Sequence, residues 1–247
     1  MLRFKPSRNL MAGLLSLAVT MTARSKQEAT DGVNSLCYDP RVAVRRLTQA
    51  DPVLGALMKA AGPFTLQLRT MHSTFEALAR NIIYQQLHGT AAAAIHARVV
   101  ALGQKGKLRP QTILSANEDT LRGAGLSRAK LAALQDLAAK TLDGTVPSLA
   151  RLRRMSDEEI IARLTSVRGI GRWTVEMLLM SRLGRGDVLP TTDLGVRKGF
   201  AFVYQTELPT PKALAEYGER WRPFRTVASW YMWRALELPA GAWPPEK

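Results

Sequence analysis

The 247-residue chain reads as an all-α protein. Helix-start signals recur along it: Asp51-Pro52, then Ser73 and Ser156, each with Glu three residues on (Glu76, Glu159), the spacing of a capping box. Behind each of them apolar residues follow at helical spacing, as in Ile160, Ile161 and Leu164. Strand-type alternation is scarce, and neither an internal repeat nor a low-complexity linker interrupts the pattern.

Residues 1–32 stand apart as an extension. Arg3, Lys5 and Arg8 precede a short apolar run from Leu10 to Met21, as in a signal peptide, yet no small-x-small cleavage site follows. The run is too short to span a membrane. Met11 and Met21 are alternative starts, so the reading is an extension that is disordered or mis-started. From Asp39 onward the pattern is helical. Asp51 and Pro52 serve as N-cap and first helical residue of a helix that stops at Gly62-Pro63. Pro63 to Leu66 is expected to be an extended link. The helix begun by Ser73 ends near Tyr84-Gln85-Gln86-Leu87-His88-Gly89, and Ala91 to Ala94 begin the next. Further helices are expected over 117–123, 127–142, 147–154, 156–166, 172–182, 194–204, 211–220 and 225–238.

Lys and Arg number 35 against 20 Asp and Glu, a formal net charge of +15. Such an excess suits a polyanionic partner, whether nucleic acid or an acidic membrane face. The one cysteine, Cys37, excludes an intramolecular disulfide and an all-cysteine cluster. Three histidines, at 72, 88 and 96, make a zinc site an unpromising expectation.

The most informative stretch is Leu164-Thr165-Ser166-Val167-Arg168-Gly169-Ile170-Gly171-Arg172-Trp173-Thr174-Val175. Gly169-Ile170-Gly171 is a turn between two apolar helices, short enough to make a hairpin. Its glycines allow a tight bend and close approach to another surface. The following helix begins with free N–H groups, an anion site. An ordinary helix–helix turn with a C-capping glycine satisfies the same residues. Asp193 comes twenty positions after Trp173 (193 − 173), within Pro190-Thr191-Thr192-Asp193-Leu194-Gly195-Val196-Arg197-Lys198. Taken alone it reads as a helix N-cap.

A helix–hairpin–helix followed at this distance by a loop ending in Asp resembles the helix-hairpin-helix DNA glycosylase superfamily. The wording Gly-Ile-Gly-Arg-Trp-Thr is closest to its 3-methyladenine DNA glycosylase II branch, and the resemblance runs from about Asp51 to about Trp233. It implies two helical lobes with a cleft between them. Residues 39–80 plus 195–247 would form the flanking lobe and 81–194 the central one, with the helix-hairpin-helix at 156–182.

The resemblance makes Asp193 the catalytic residue, a carboxylate that stabilises an oxocarbenium-like sugar and orients water. Members that also cut the backbone carry a Schiff-base lysine just after the hairpin. Here Trp173 holds that place, so a monofunctional hydrolase without lyase activity is expected. Trp173 and Trp233 fall where the family has aromatic walls, suited to stacking on a cationic alkylated base. Met177 and Leu194 complete the implied pocket at positions associated with tyrosine in relatives, which makes it less aromatic. Core packing remains the alternative for each tryptophan, and is preferred for Trp221 and Trp230.

DNA contacts are expected from the backbone of Gly169 and Gly171, from Thr174, and from Arg168, which stands where the hairpin usually has proline. Gln85, Gln86 and Leu87 resemble the wedge that fills the gap left by a flipped base, while a plain helix end explains them equally. Lys130 is a further possible phosphate contact. No cofactor is required; the backbone carbonyls of Thr165, Val167 and Gly169 could hold a structural monovalent cation, as in relatives. The implied partner is double-stranded DNA with damaged bases, with no membrane role and a monomer sufficing. The implied location is cytoplasmic and nucleoid-associated in a bacterium, or nuclear in a eukaryote. Two readings stay open beside this one: a non-catalytic helix-hairpin-helix DNA-binding protein, and a glycosylase for deaminated or oxidised bases.

Overall fold

The computed structural model describes residues 35–239 and 241–244, so the reading of 1–32 lies outside the described residues. Among the described residues there are thirteen α-helices, two 3₁₀ turns and no strand. None of these helices is long and apolar enough to cross a membrane.

The helices begin where short polar side chains can cap them. Asp39 caps α1 (Pro40–Ala50) and Asp51 caps α2 (Pro52–Ala61), each with Pro in the first turn. Ser73 accepts from the Glu76 N–H at the start of α3 (Thr74–Tyr84). After α4 (Gly89–Ala101) comes α5 (Pro110–Ser115), a helix missing from the sequence expectation. Its N-cap is Arg109, whose side chain makes no capping bond, so only Pro110 marks the start. Asn117 and Ser127 then cap α6 (Glu118–Gly123) and α7 (Arg128–Leu142). Ser148 caps α8 (Leu149–Leu152), shorter than the 147–154 expected. A complete Ser156–Glu159 capping box opens α9 (Asp157–Thr165). The remaining helices are α10 (Arg172–Ser181), α11 (Leu194–Tyr204), α12 (Pro211–Gly218) and α13 (Arg225–Ala235).

The chain divides into two compact units, one of residues 71–171 and one that joins the described residues before 71 to those after 171. These limits precede the 80/81 and 194/195 boundaries expected from the sequence. Helix α3 belongs to the first unit because it packs on α4 and α7, burying Phe75, Leu78, Ile82 and Ile83. Helix α10 belongs to the second because the Ser181 carbonyl accepts from Arg69 N–H at 2.8 Å and its Trp173 bonds Asp193.

In the second unit α11 packs on α13, with α2 against both. Close contact requires glycine: a Cβ on Gly199 would lie 2.0 Å from the Met232 carbonyl oxygen. Beneath α2 lies a buried carboxylate. Asp51, 2 % exposed, accepts from Leu54 N–H (3.1 Å), Trp221 Nε1 (3.0 Å), Tyr204 Oη (2.7 Å) and Tyr217 Oη (3.2 Å). Burial, and next the hydrogen bond to Asp51, push the Tyr204 hydroxyl far above the ordinary tyrosine value. Trp221 and Trp230 are both core residues, as expected.

Candidate active site

The loop from α10 to α11 is held by polar contacts rather than by regular structure. Thr226 on α13 donates from Oγ1 to the Arg185 carbonyl at 2.7 Å and accepts from Val188 N–H at 3.1 Å. Arg225 pairs with Asp187 at 2.7 Å. The loop ends as Asp193 N–H bonds the Pro190 carbonyl at 2.9 Å. Asp193 then caps α11, its Oδ1 accepting from Val196 N–H at 2.8 Å. The N-cap reading of this residue is therefore correct, and the cap fixes the carboxylate.

Two indoles complete its surroundings. Trp233 on α13 donates from Nε1 to Oδ1 at 2.9 Å, and Trp173 on α10 donates from Nε1 to Oδ2 at 2.7 Å. Three helices thus meet at one carboxylate. A carboxylate has about four lone-pair positions; Oδ1 uses two and Oδ2 one, which leaves one acceptor position, on Oδ2. Asp193, Trp173 and Trp233 are all partly exposed. Such a cluster offers a fixed negative charge flanked by aromatic surface, the combination that stabilises a developing cation.

Gly195, the second residue of α11, is a part of this site that sequence reasoning gave no role. A Cβ there would sit 2.9 Å from Trp233 Cδ1 and 3.0 Å from Asp193 Oδ1. Only glycine lets the Trp233 ring reach the carboxylate. Gly195 and Gly199 lie four apart, one above the other on the α11 face, and that spacing was the available signal. Met177 is partly exposed on α10, one turn after Trp173, and Leu194 is 39 % exposed beside Asp193.

The hairpin residues lie in the first unit. Gly169 adopts φ +78° and is exposed, as are Gly171 and Arg168. Thr174 begins the run of buried residues on α10 and is 8 % exposed, leaving its hydroxyl little surface to offer. Gln85 is not a free wedge: its Nε2 donates to the Gly169 carbonyl at 2.9 Å. Gln86 is exposed in the left-handed region at φ +56°, with Leu87 partly exposed beyond it. Lys130 is engaged internally, its Nζ bonding the Ile83 carbonyl at 2.7 Å, and burial lowers its pKa. Of the carbonyls singled out for a cation, Val167 O accepts from Ile170 N–H at 3.0 Å and Gly169 O from Gln85. Among the described residues no group of three or more His, Cys, Asp or Glu side chains could hold a metal ion.

An all-α chain with a glycine hairpin and a capped, indole-bonded aspartate defines a class, and the comparisons identify it. The family model of the HhH-GPD superfamily base excision DNA repair proteins matches residues 79–223. The chain belongs to that superfamily. It is 39 % identical over 166 residues to DNA-3-methyladenine glycosylase 1 of Schizosaccharomyces pombe, covering 66 % of this chain and 73 % of the relative. The solved 3-methyladenine DNA glycosylase of Schizosaccharomyces pombe, in complex with abasic DNA, matches with a TM-score of 0.69 and 36 % identity, over 80 % of this chain and 97 % of that one. A DNA-3-methyladenine glycosidase of Bacillus halodurans matches with a TM-score of 0.72 and 31 % identity, over 82 % and 91 %.

Proposed function

We propose that this protein is a monofunctional DNA glycosylase that flips alkylated purines of the 3-methyladenine and 7-methylguanine type out of duplex DNA and hydrolyses their N-glycosidic bond. The observation that carries the reading is the Asp193 carboxylate, fixed by Trp173, Trp233 and the α11 N-terminus with one acceptor position left on Oδ2. The names of the relatives support the substrate class.

An alkylated purine carries a formal positive charge, so it leaves without strong acid assistance. As it departs, positive charge builds on the sugar, and the Asp193 anion stabilises that charge through space. The open lone pair on Oδ2 aligns the attacking water and takes its proton. The rings of Trp173 and Trp233 stack on the cationic base and hold it against the carboxylate. Met177 and Leu194 border this surface. With Trp173 where a lyase has its lysine, no amine stands at that place to form a Schiff base, so an unbroken abasic strand remains. The exposed Gly169 and Gly171 offer N–H groups to a DNA phosphate, and Arg168 adds charge. Gln86 and Leu87 fill the gap in the duplex. One chain carries all these parts, so a monomer suffices.

The test is base release from methylated duplex DNA by the wild-type chain and Asp193→Asn, with both the free base and the strand analysed. The reading expects methylated purine and intact abasic strands from the wild type only. Binding without release from any lesion in a wider panel of deaminated and oxidised bases would replace it with the non-catalytic reading.

A further inference from the structure

The loop that carries Asp193 is tied to one face of α13, and the tie centres on a single hydroxyl. Thr226, Ser229 and Trp233 follow at spacings of three and four, which align side chains along a helix. Thr226 is fully buried. Its Oγ1 donates to the Arg185 carbonyl at 2.7 Å and accepts from Val188 N–H at 3.1 Å, while its own N–H donates to the Gly186 carbonyl at 2.9 Å. Ser229 Oγ adds a longer contact to the Val188 carbonyl at 3.4 Å. Two turns beyond Thr226 on the same helix, Trp233 bonds Asp193.

Two closed circuits of bonds meet at the Thr226 hydroxyl. One runs from Val188 along the chain to Asp193 and returns through Trp233 and α13. Its loop arm has little freedom. Val188, Leu189 and Pro190 are buried, and Thr191 N–H bonds the Leu189 carbonyl at 2.9 Å before Asp193 N–H closes onto Pro190. The other circuit runs from Arg185, whose N–H bonds the Leu179 carbonyl at 3.0 Å, back along α10 to Trp173 and so to Asp193. Each circuit uses a different half of the hydroxyl: a donor for Arg185 and an acceptor for Val188. Threonine and serine supply both halves. Valine has nearly the same shape and supplies neither.

We infer that Thr226 is a positioning residue, whose hydroxyl sets where the Asp193 carboxylate meets the indoles of Trp173 and Trp233. Its bearing on base release rests on the proposed glycosylase reading. A shift at Thr226 moves both ends of the loop against α13 and so reaches the carboxylate from two sides.

The test compares Thr226→Val, which removes the hydroxyl at nearly constant shape, Thr226→Ala, which removes it without bulk, and Thr226→Ser, which keeps it. The chain has five tryptophans, so the indole N–H signals in a proton–nitrogen correlation spectrum are assigned through Trp173→Phe and Trp233→Phe. In Thr226→Val the Trp173 and Trp233 signals should move, while that of Trp221, bonded to Asp51, stays. Single-turnover release of methylated purine should fall about 10- to 100-fold, the scale of a small misplacement transmitted to the reacting groups. The Kd for a duplex with a tetrahydrofuran abasic-site analogue should change by less than about threefold, because alignment is lost and phosphate contacts are not. Thr226→Ser should release base within about threefold of wild type, since donor and acceptor are both restored. Tyr204→Phe deletes another hydroxyl of the same unit and should leave release and both signals in place. Unmoved Trp173 and Trp233 signals in folded Thr226→Val or Thr226→Ala overturn the inference. So does release at the wild-type rate, or a serine variant no better than the valine one. Hydroxyl-free variants that fail to fold make the residue structural only and overturn it too. A wild type that frees no base from any lesion removes the glycosylase reading, and the indole signals alone then decide the inference.

Discussion

Asp51 and Asp193 lie in the same unit and are built alike, yet they differ in burial and in the donors around them. Each caps a helix, and each accepts tryptophan indole N–H bonds. Asp51 has four donors, three of them on Oδ2 and one on Oδ1, and is 2 % exposed. Asp193 has three donors and is partly exposed. The buried carboxylate with four donors is a structural hub, and the partly exposed one with three is the candidate for a reactant under the proposed function. Residue type and capping do not distinguish them; the count of donors and access to solvent do.

That contrast is broken most severely at Asp51. Asp51→Ala removes the acceptor of two partly buried tyrosine hydroxyls, a buried indole N–H and a buried backbone N–H. A loss of about 3–5 kcal/mol in denaturant unfolding is expected, with base release per folded molecule retained. Asp193→Asn gives the converse. Asparagine still caps α11, so stability changes little, but its amide cannot accept from both indoles and carries no charge. Single-turnover base release should fall about 100- to 1000-fold. Gly199→Ala forces a Cβ against the Met232 carbonyl and should cost about 1–3 kcal/mol of stability, by loosening the α11–α13 contact that brings Trp233 to Asp193. Trp173→Phe keeps an aromatic face and removes only the N–H. A loss of about fivefold to tenfold in release rate is expected, from one hydrogen bond of about 1 kcal/mol.

The smallest effect is on pH dependence. The Tyr204 and Tyr217 hydroxyls titrate above their ordinary value, chiefly through burial. Their contribution to stability is complete below the unfolded tyrosine pKa of about 10 and declines as the pH rises past it. Thermal unfolding should therefore begin to weaken above that pH in the wild type, and less so in Tyr204→Phe. A flat profile there would separate the tyrosines from the Asp51 hub.

How far the sequence foretells these features follows from how local each one is. The Asp193 cap, the hairpin turn and most helix starts were legible because caps and glycine turns act over three or four residues, whereas a catalytic role for Asp193 was suggested only by the family resemblance. The role of Asp51 as a cap was legible for the same reason. Its role as a hub was not, since Tyr204, Tyr217 and Trp221 lie more than 150 positions away. Lys130 and Gln85 each stand in a turn that resembles a family feature, read as a possible phosphate contact and as a wedge or plain helix end; their bonds to carbonyls 47 and 84 positions distant had no local signal. Gly195 carries the most instructive omission. Its spacing from Gly199 is visible in the sequence, but nothing local says that an indole fills the space its missing Cβ leaves.

The most direct measurement of the central claim is a paired one, single-turnover release of methylated purine and thermal unfolding for Asp193→Asn and Asp51→Asn together. The account predicts that Asp193→Asn loses release while unfolding near the wild-type temperature, and that Asp51→Asn unfolds well below it while its folded fraction still releases base. Release by Asp193→Asn at the wild-type rate would contradict the account, and so would loss of release in a folded Asp51→Asn.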